Sequence, residues 1–298
     1  MNVLVTGATG FLGRHLVKKL ESLGYKIFIS NTQIANLEDE TNLNIYNDIE
    51  FEYIFHLAAY TKCHPDREAD QFFKNNLINN NIIFYWKNFQ PQAKFVCFGT
   101  TASYAPEVEM IESNYFLKEP EEKYRLYSLT KRNMLRSLQS LKGANLKWLY
   151  LIPSTIYGPD FDLDDDRYLY DFVRNCYKSQ QTTSPFIIWG DGTQIRELIY
   201  VDDVIEKIMF TLSFDNEVIN VGNGCCYSIN DIAKQVCGIF KFDYSKIERD
   251  LSKNCGMKKK NISVEKLKLM SNNYEFKHTP IAEGLKKTIN FFKINLTS

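Results

Sequence analysis

The sequence predicts an α/β fold: a doubly wound parallel sheet with helices on both faces, followed by a smaller mixed α/β region. Three observations predict it. Short apolar runs alternate with helical repeats through the first half, the first run ends in a glycine-rich turn, and past Pro153 the alternation breaks into longer, irregular pieces. Residues 2–6 (NVLVT) read as a buried parallel strand. From Phe11 to Leu23, the residues Leu12, Leu16, Leu20 and Leu23 keep helical spacing, and Gly24 stops the helix. KIFIS (26–30) and YIFHLAA (53–59) are the next expected strands. A helix is expected from about 67 to 88, ending before Pro91. Strand KFVCFGT (94–100), a helix from about 124 to 142 and strand LKWLYLI (146–152) follow. In the second half, Ser228 with Asp231 reads as a capping box, and Thr279-Pro280 reads as the start of the last helix.

TGATGFLG (6–13) sets Gly7, Gly10 and Gly13 between the first strand and the first helix. Glycine permits the tight turn, the close approach of a pyrophosphate and close helix packing, and the helix N-terminus attracts the anion. The competing explanation is an ordinary strand-to-helix turn, but strand and helix both stand where a dinucleotide loop needs them. Phe11 and Leu12 belong to the same loop. Residues 1–155 are therefore expected to form a dinucleotide-binding Rossmann domain, with segments around 185–222 able to return to it. Residues 156–298 are expected to cover the substrate.

The second strand ends in Asn31, where such sites usually carry an acid for the NAD ribose. No Lys or Arg lies between Ile27 and Thr61 to meet an NADP phosphate. An unpaired phosphate dianion is the costlier omission, so the balance favours NAD(H) over NADP(H), with Arg14 as the reservation.

Tyr127-Ser-Leu-Thr-Lys131 spaces a phenol and an ammonium by one helical turn, so both point from one face. For the phenol to act as a base near neutrality, its phenolate needs stabilising by about 4 kcal/mol. Lys131 and a nicotinamide charge are the available sources. Thr100 ends the preceding strand, where its hydroxyl can hydrogen-bond a substrate oxygen. An exposed Tyr/Lys pair is common by itself. Together with the glycine loop and Thr100 it forms one apparatus for hydride transfer at a C–OH or C=O.

Composition excludes several other classes. The 298 residues hold 44% hydrophobic and 24% charged side chains, ordinary for a sizeable core. Lys+Arg and Asp+Glu are both 36, so neither a nucleic-acid coat nor a membrane-surface protein is expected. The opening MNVLVTG has no basic region or long apolar stretch, so no signal peptide or membrane span is expected. Seven cysteines without a C-x-x-C, and only four histidines, argue for reduced thiols in the cytoplasm rather than disulfides or zinc. No metal is expected. His56 and His64 lack a third ligand at useful spacing, and His56 reads as structural. Asp164, Asp165 and Asp166 read as a solvated loop rather than a cation site.

From these motifs the chain resembles the extended short-chain dehydrogenases/reductases of the sugar-nucleotide epimerase/dehydratase group. The likeness runs nearly end to end: TGATGFLG, HLAA (56–59), Asn76, Tyr127 with Lys131, PSTIYGP (153–159), RELIYVDD (196–203) and NVGNG (220–224). The resemblance implies a catalytic triad of Thr100, Tyr127 and Lys131. It places Asn36 and Leu37 at the adenine, and Leu57, Ala58, Ala59 and Asn76 along the cofactor. It also places Thr101, Ala102, Thr155 and Arg196 at a nucleotide-diphosphate sugar, and implies a homodimer.

Within the group, GTTASYAP (99–106), the Pro-Glu before YSLTK (Pro120-Glu121), IIWGDGTQIREL (187–198) and DLSKNCGMKKK (250–260) resemble GDP-L-fucose synthases. The likeness offers Lys259 as a diphosphate partner, the alternative being a solvated charge run. Those enzymes use a Cys and a His for 3,5-epimerisation. Here Ala102 replaces the Cys, and no histidine lies between His64 and His278. Thr101-Ala102 likewise lacks the Asp-Glu of related 4,6-dehydratases. The expected chemistry is therefore redox at one sugar carbon, C4, as a dehydrogenase or ketoreductase. A cofactor-retaining C4 epimerase uses the same triad and stays open, and a non-enzymatic dinucleotide sensor is the remote alternative.

Overall fold

The computed structural model describes residues 1–61, 67–141, 145–182, 184–253 and 255–296. Cys63 and His64 lie outside the described residues. In chain order the first half holds β1 (Asn2–Thr6), α1 (Phe11–Ser22), β2 (Lys26–Ser30), β3 (Tyr53–His56), α2 (Glu68–Phe89), β4 (Lys94–Phe98), α3 (Arg125–Ser140) and β5 (Trp148–Pro153). Next come β6 (Thr155–Tyr157), α4 (Tyr168–Gln181), β7 (Phe186–Trp189), β8 (Ile195–Tyr200), α5 (Val201–Thr211) and β9 (Glu217–Val221). The chain ends with β10 (Cys226–Ser228), α6 (Ile229–Phe240), β11 (Ile247–Asp250), β12 (Lys259–Lys260), α7 (Glu265–Ser271) and α8 (Ile281–Leu296).

Six strands form one sheet in the order β2-β1-β3-β4-β5-β9, and every neighbouring pair is parallel. Because strand side chains alternate, the sheet feeds two cores. Leu4, Ile54, Phe95, Cys97, Tyr150 and Ile152 face α2 and α3, whereas Val3, Val5, Phe55, Val96, Leu149 and Leu151 face α1 and α5. Leu16 and Leu20 of α1 are fully buried, and each such side chain contributes about 1.5–3 kcal/mol of transfer free energy. A third core joins α4, α6 and α8 to β7 and β8 through Val173, Phe186, Ile188, Leu198, Val236, Leu285 and Phe292. Its strands are short: β10-β8-β12 with β6 beside β8, and β11 beside β7.

The chain runs outward from β1 to β2, then crosses back to place β3 on the other side of β1. That reversal opens a crevice at the carboxyl ends of β1 and β3, where open α/β sheets bind ligands. Two expected strands stop short there. The run at 53–59 is strand only to His56, and Leu57, Ala58 and Ala59 leave the sheet to line the crevice. The run at 94–100 ends at Phe98, after which a 3-10 turn over Thr101–Ser103 begins. The capping box of α6 is formed by Ser228 and Asp231. Among the described residues no helix is long and apolar enough to cross a membrane.

Candidate active site

Gly7 follows β1 with φ +69°, and a Cβ there would meet the Ala58 nitrogen at 2.7 Å. The loop closes with Gly10 N–H donating to the Gly7 carbonyl (3.1 Å), and α1 starts at Phe11 with no side-chain cap and no acid in its first turn. Its first N–H groups therefore lack side-chain acceptors and carry the positive end of the helix dipole. A bare, glycine-lined helix N-terminus beside a switch-point crevice fits a dinucleotide diphosphate.

A cleft of about 1450 Å³ runs from this loop across the sheet into the second region. That exceeds a single drug-sized pocket, typically about 300–1,000 Å³. Gly7, Gly10, Phe11, Leu12, Gly13, Asn31, Asn36, Leu37, Leu57, Ala58 and Ala59 all line it. Asn31 and Asn36 spend their side-chain oxygens on local turns: Asn31 Oδ1 accepts from Gln33 and Ile34 N–H (2.8 and 2.7 Å), and Asn36 Oδ1 from Glu38 N–H (3.1 Å). Glu38 also lines this end. The Tyr60 hydroxyl donates to it (2.5 Å) and Lys74 lies 3.4 Å away, and these contacts hold its carboxyl below the usual range. Arg14 turns the other way, donating to the Thr9 and Asp160 carbonyls and pairing with Asp162 (3.1 Å).

Thr100, Tyr127 and Lys131 open onto the same cleft. Thr100 Oγ1 accepts from Ala102 N–H (3.2 Å), which leaves its own proton for another acceptor. Lys131 Nζ stands 5.8 Å from the Tyr127 ring centroid. Burial lowers the Lys131 pKa to about 8. Behind it lie Cys97, whose thiol is pushed up by burial, and His56, held neutral with its pKa lowered to about 4 by burial. His56 is fully buried between Thr6 Oγ1 (2.8 Å) and Asn79 Oδ1 (2.9 Å).

On the substrate side Thr101, Ala102, Thr155 and Arg196 line the cleft. The Arg196 guanidinium donates to the carbonyls of Ile195, Met257 and Cys255 (2.8, 2.8 and 2.9 Å), fixing the segment before β12. Two expected residues do not line it. Lys259 is exposed, and Lys260, the next residue of β12, takes the place in the cleft because strand side chains alternate. Burial and then Arg196 lower the Lys260 pKa to about 8, against an opposing pull from Glu121.

Asn76 pairs with Asn133 across α2 and α3 (3.1 Å). Its neighbour Asn75 reaches the segment after β3 instead, accepting from Tyr60 N–H (2.8 Å) and donating to the Tyr60 carbonyl (3.0 Å). The acidic loop is not simply solvated either. Asp165 grips Arg167 through both carboxylate oxygens (3.0 and 2.7 Å), and Arg167 lies 5.3 Å from the Phe11 ring centroid. Glu121, Tyr124, Trp189 and Gln194 also line the cleft. Glu121 precedes and Tyr124 ends a 3-10 turn (Glu122–Tyr124) that leads into α3, and Trp189 and Gln194 lie at strand ends. The fucose-synthase-like stretches marked Glu121, Trp189 and Gln194 in advance, and nothing marked Tyr124.

Among the described residues no three His, Cys, Asp or Glu side chains gather to hold a metal ion. A GDP-L-fucose synthase from Dictyostelium discoideum is 25% identical over 97% of this chain and 94% of its own length. The crystal structure of a GDP-L-fucose synthetase from Naegleria fowleri superposes with a TM-score of 0.89 at 22% identity, covering 100% of this chain and 94% of that one. The UDP-glucose 4-epimerase of Thermotoga maritima, solved with UDP-glucose, gives 0.84 at 25% identity over 99% and 100% of the two chains. Residues 3–222 match the NAD dependent epimerase/dehydratase family. On that match, and with the glycine loop set at the switch point of a parallel sheet, this chain is an enzyme of the NAD dependent epimerase/dehydratase family.

Proposed function

We propose that the protein interconverts a carbinol and a ketone at one carbon, C4, of a nucleotide-linked sugar, with GDP the favoured nucleotide. One observation carries the reading. Thr100, Tyr127 and Lys131 share a cleft with the glycine loop, while the neighbouring positions 101 and 102 hold a threonine and an alanine, which offer neither the carboxylates of a 4,6-dehydratase nor the thiol of a 3,5-epimerase. The similar proteins named above act, by their names, on GDP- or UDP-linked sugars, which supports a substrate of that class.

A nicotinamide dinucleotide held along the glycine loop supplies the two-electron exchange with the sugar carbon. Gly7, Gly10, Gly13 and the N-terminus of α1 would hold its diphosphate, with Asn36 and Leu37 at the end that would take its adenine. Thr100 orients the sugar oxygen with a hydrogen bond from its hydroxyl and keeps its own proton. Tyr127 takes the hydroxyl proton in oxidation and returns it in reduction. Lys131 stabilises the phenolate by its charge. Arg196 and Lys260 offer cations for the substrate diphosphate. Glu38 occupies Lys74 as its ion-pair partner at the adenosine end while Arg14 pairs with Asp162, so neither cation is left over for a 2′-phosphate, which supports NAD(H) over NADP(H).

A C4 epimerase is the second reading. The volume of the cleft favours it, since a keto sugar must rotate in place between two transfers. We also propose a homodimer. Phe73, Leu77 and Phe84 are exposed along one side of α2, a stripe suited to a second copy. The six described cysteines are free thiols, in keeping with the cytoplasm.

The test pairs mass spectrometry of nucleotide released on denaturation with turnover of a sugar-nucleotide panel by wild type and Tyr127→Phe. A loosely held cofactor and at least a 10²-fold loss in the variant support the ketoreductase. Stoichiometric bound NAD moves the assignment to the epimerase. Unchanged turnover in Tyr127→Phe refutes both.

A further inference from the structure

Behind the catalytic face, two buried tyrosines join the main chains of two residues assigned to the reaction. Thr100 N–H lies past the end of the β4 ladder, whose last bond is Gly99 N–H to the Leu151 carbonyl (2.8 Å). Thr100 N–H donates to the Tyr115 hydroxyl oxygen instead (3.3 Å). The Tyr115 and Tyr150 hydroxyls are 3.0 Å apart, and Tyr150 O–H donates to the Lys131 carbonyl (2.8 Å). The one Tyr150 proton goes to Lys131, so Tyr115 is the donor between the phenols. The Ser103 hydroxyl also lies within reach of Tyr115. The result is a directed chain from Thr100 N–H through two phenols to the Lys131 carbonyl.

Both tyrosines are fully buried, with rings edge to face at 5.7 Å. Phenylalanine would fill the same space without burying two hydroxyls that must then find partners. The backbone is drawn in tightly here. A Cβ on Gly99 would stand 2.5 Å from Tyr150 Cε1 and 2.8 Å from the Tyr115 hydroxyl. Burial raises the pKa of both phenols, so they stay protonated wherever the enzyme works.

We infer that Tyr115 and Tyr150 are positioning residues: their paired hydroxyls fix the Thr100 main chain against the Lys131 main chain, and so set the place of the Lys131 ammonium relative to Tyr127. The inference rests on the assignment of Tyr127 and Lys131 made above. Its consequence is electrostatic. If Lys131 drifts, Tyr127 loses stabilisation of its phenolate and ionises at higher pH.

The experiment follows phenolate absorbance at 295 nm during pH titration of the full chain saturated with NAD. Wild type should show one tyrosine ionising well below the others, and Tyr127→Phe should remove it. Tyr115→Phe and Tyr150→Phe should each raise that midpoint by about one pH unit, a tenfold change in ionisation constant. The double variant should shift no further than the larger single one, because both substitutions break the same chain.

Tyr104→Phe is the control. It removes another fully buried phenol, one that donates to Asn220 Oδ1 (2.7 Å) outside the chain, and should leave the midpoint unmoved. Tyr150→Phe breaks the link at its other end, so a poorly folding Tyr115 variant does not end the test. If Tyr127→Phe removes the low ionisation while both relay variants leave it in place, the relay is only structural and the inference fails alone. If wild type shows no low ionisation, the assignment of Tyr127 fails and takes the inference with it.

Discussion

A Cβ on Gly13 would stand 2.1 Å from the carbonyl oxygen of Gly7. The first turn of α1 thus rests directly on the loop before it, and only a hydrogen fits between them. Gly13→Ala must push helix and loop apart. It should cost roughly 1–3 kcal/mol of stability and at least tenfold in NADH affinity, read by urea unfolding and fluorescence titration. Gly10→Ala, whose Cβ would meet the same oxygen at 3.3 Å, should lose less stability. Equal losses for the two variants would contradict this reading of the contact.

The Lys131 ammonium is held to a pKa of about 8, with burial the main cause. Its help to Tyr127 should therefore fade as pH rises through about 8. Turnover of a GDP-linked 4-keto sugar should fall on that limb. Lys131→Met should lower turnover about 10²-fold and flatten the limb. A wild-type profile level from pH 7 to 10 would remove Lys131 from the mechanism.

Burial lowers the His56 pKa from 6.5 to about 4. The unfolded chain binds this proton between those values and the folded chain does not, so the His56 contribution to stability is complete above about pH 6.5. It is lost as pH falls toward 4, by roughly 3 kcal/mol in all. Urea unfolding of wild type and His56→Gln at pH 7.5 and 4.5 checks the sign. The variant should show a pH dependence smaller by about that amount, and an equal dependence would show that the folded imidazole binds its proton as readily as the unfolded one.

Glu38 is the charged group closest in sequence to Asn36 and Leu37, at the end of the cleft proposed for the adenosine. A 2′-phosphate placed there would meet its carboxylate, at a cost of about 1–2 kcal/mol for charges near a wetted surface. Glu38→Gln should improve NADPH affinity about tenfold while changing NADH affinity much less. Parallel changes for both cofactors would show that Glu38 does not face the ribose.

The glycine loop was legible because every signal there agrees: strand, three glycines and helix occur in the order that a diphosphate requires. That Thr100, Tyr127 and Lys131 share one cleft was legible for a similar reason, each being fixed to a strand end or a helix face. Asparagine supplies no comparable signal. In α2, Asn75, Asn79 and Asn81 are buried within a run dense in asparagine, so apolar spacing could not say that Asn75, not Asn76, meets the segment after β3. Lys259 and Lys260 posed the same difficulty on a two-residue strand, where the face depends on pairing with β8. Tyr115 lies in irregular chain and meets Tyr150 only through the tertiary fold, which no local pattern encodes.

The last strand of the main sheet arrives late. β9 pairs with β5 only after the chain has built β6, α4, β7, β8 and α5, so Pro153 and its neighbours remain an open edge throughout that interval. A nascent or truncated chain stopping before residue 217 would expose β5 as a hydrophobic template for a neighbouring molecule. Residues 217–221 thus close an edge that would otherwise be open to a neighbouring molecule, a service separate from lining the cleft.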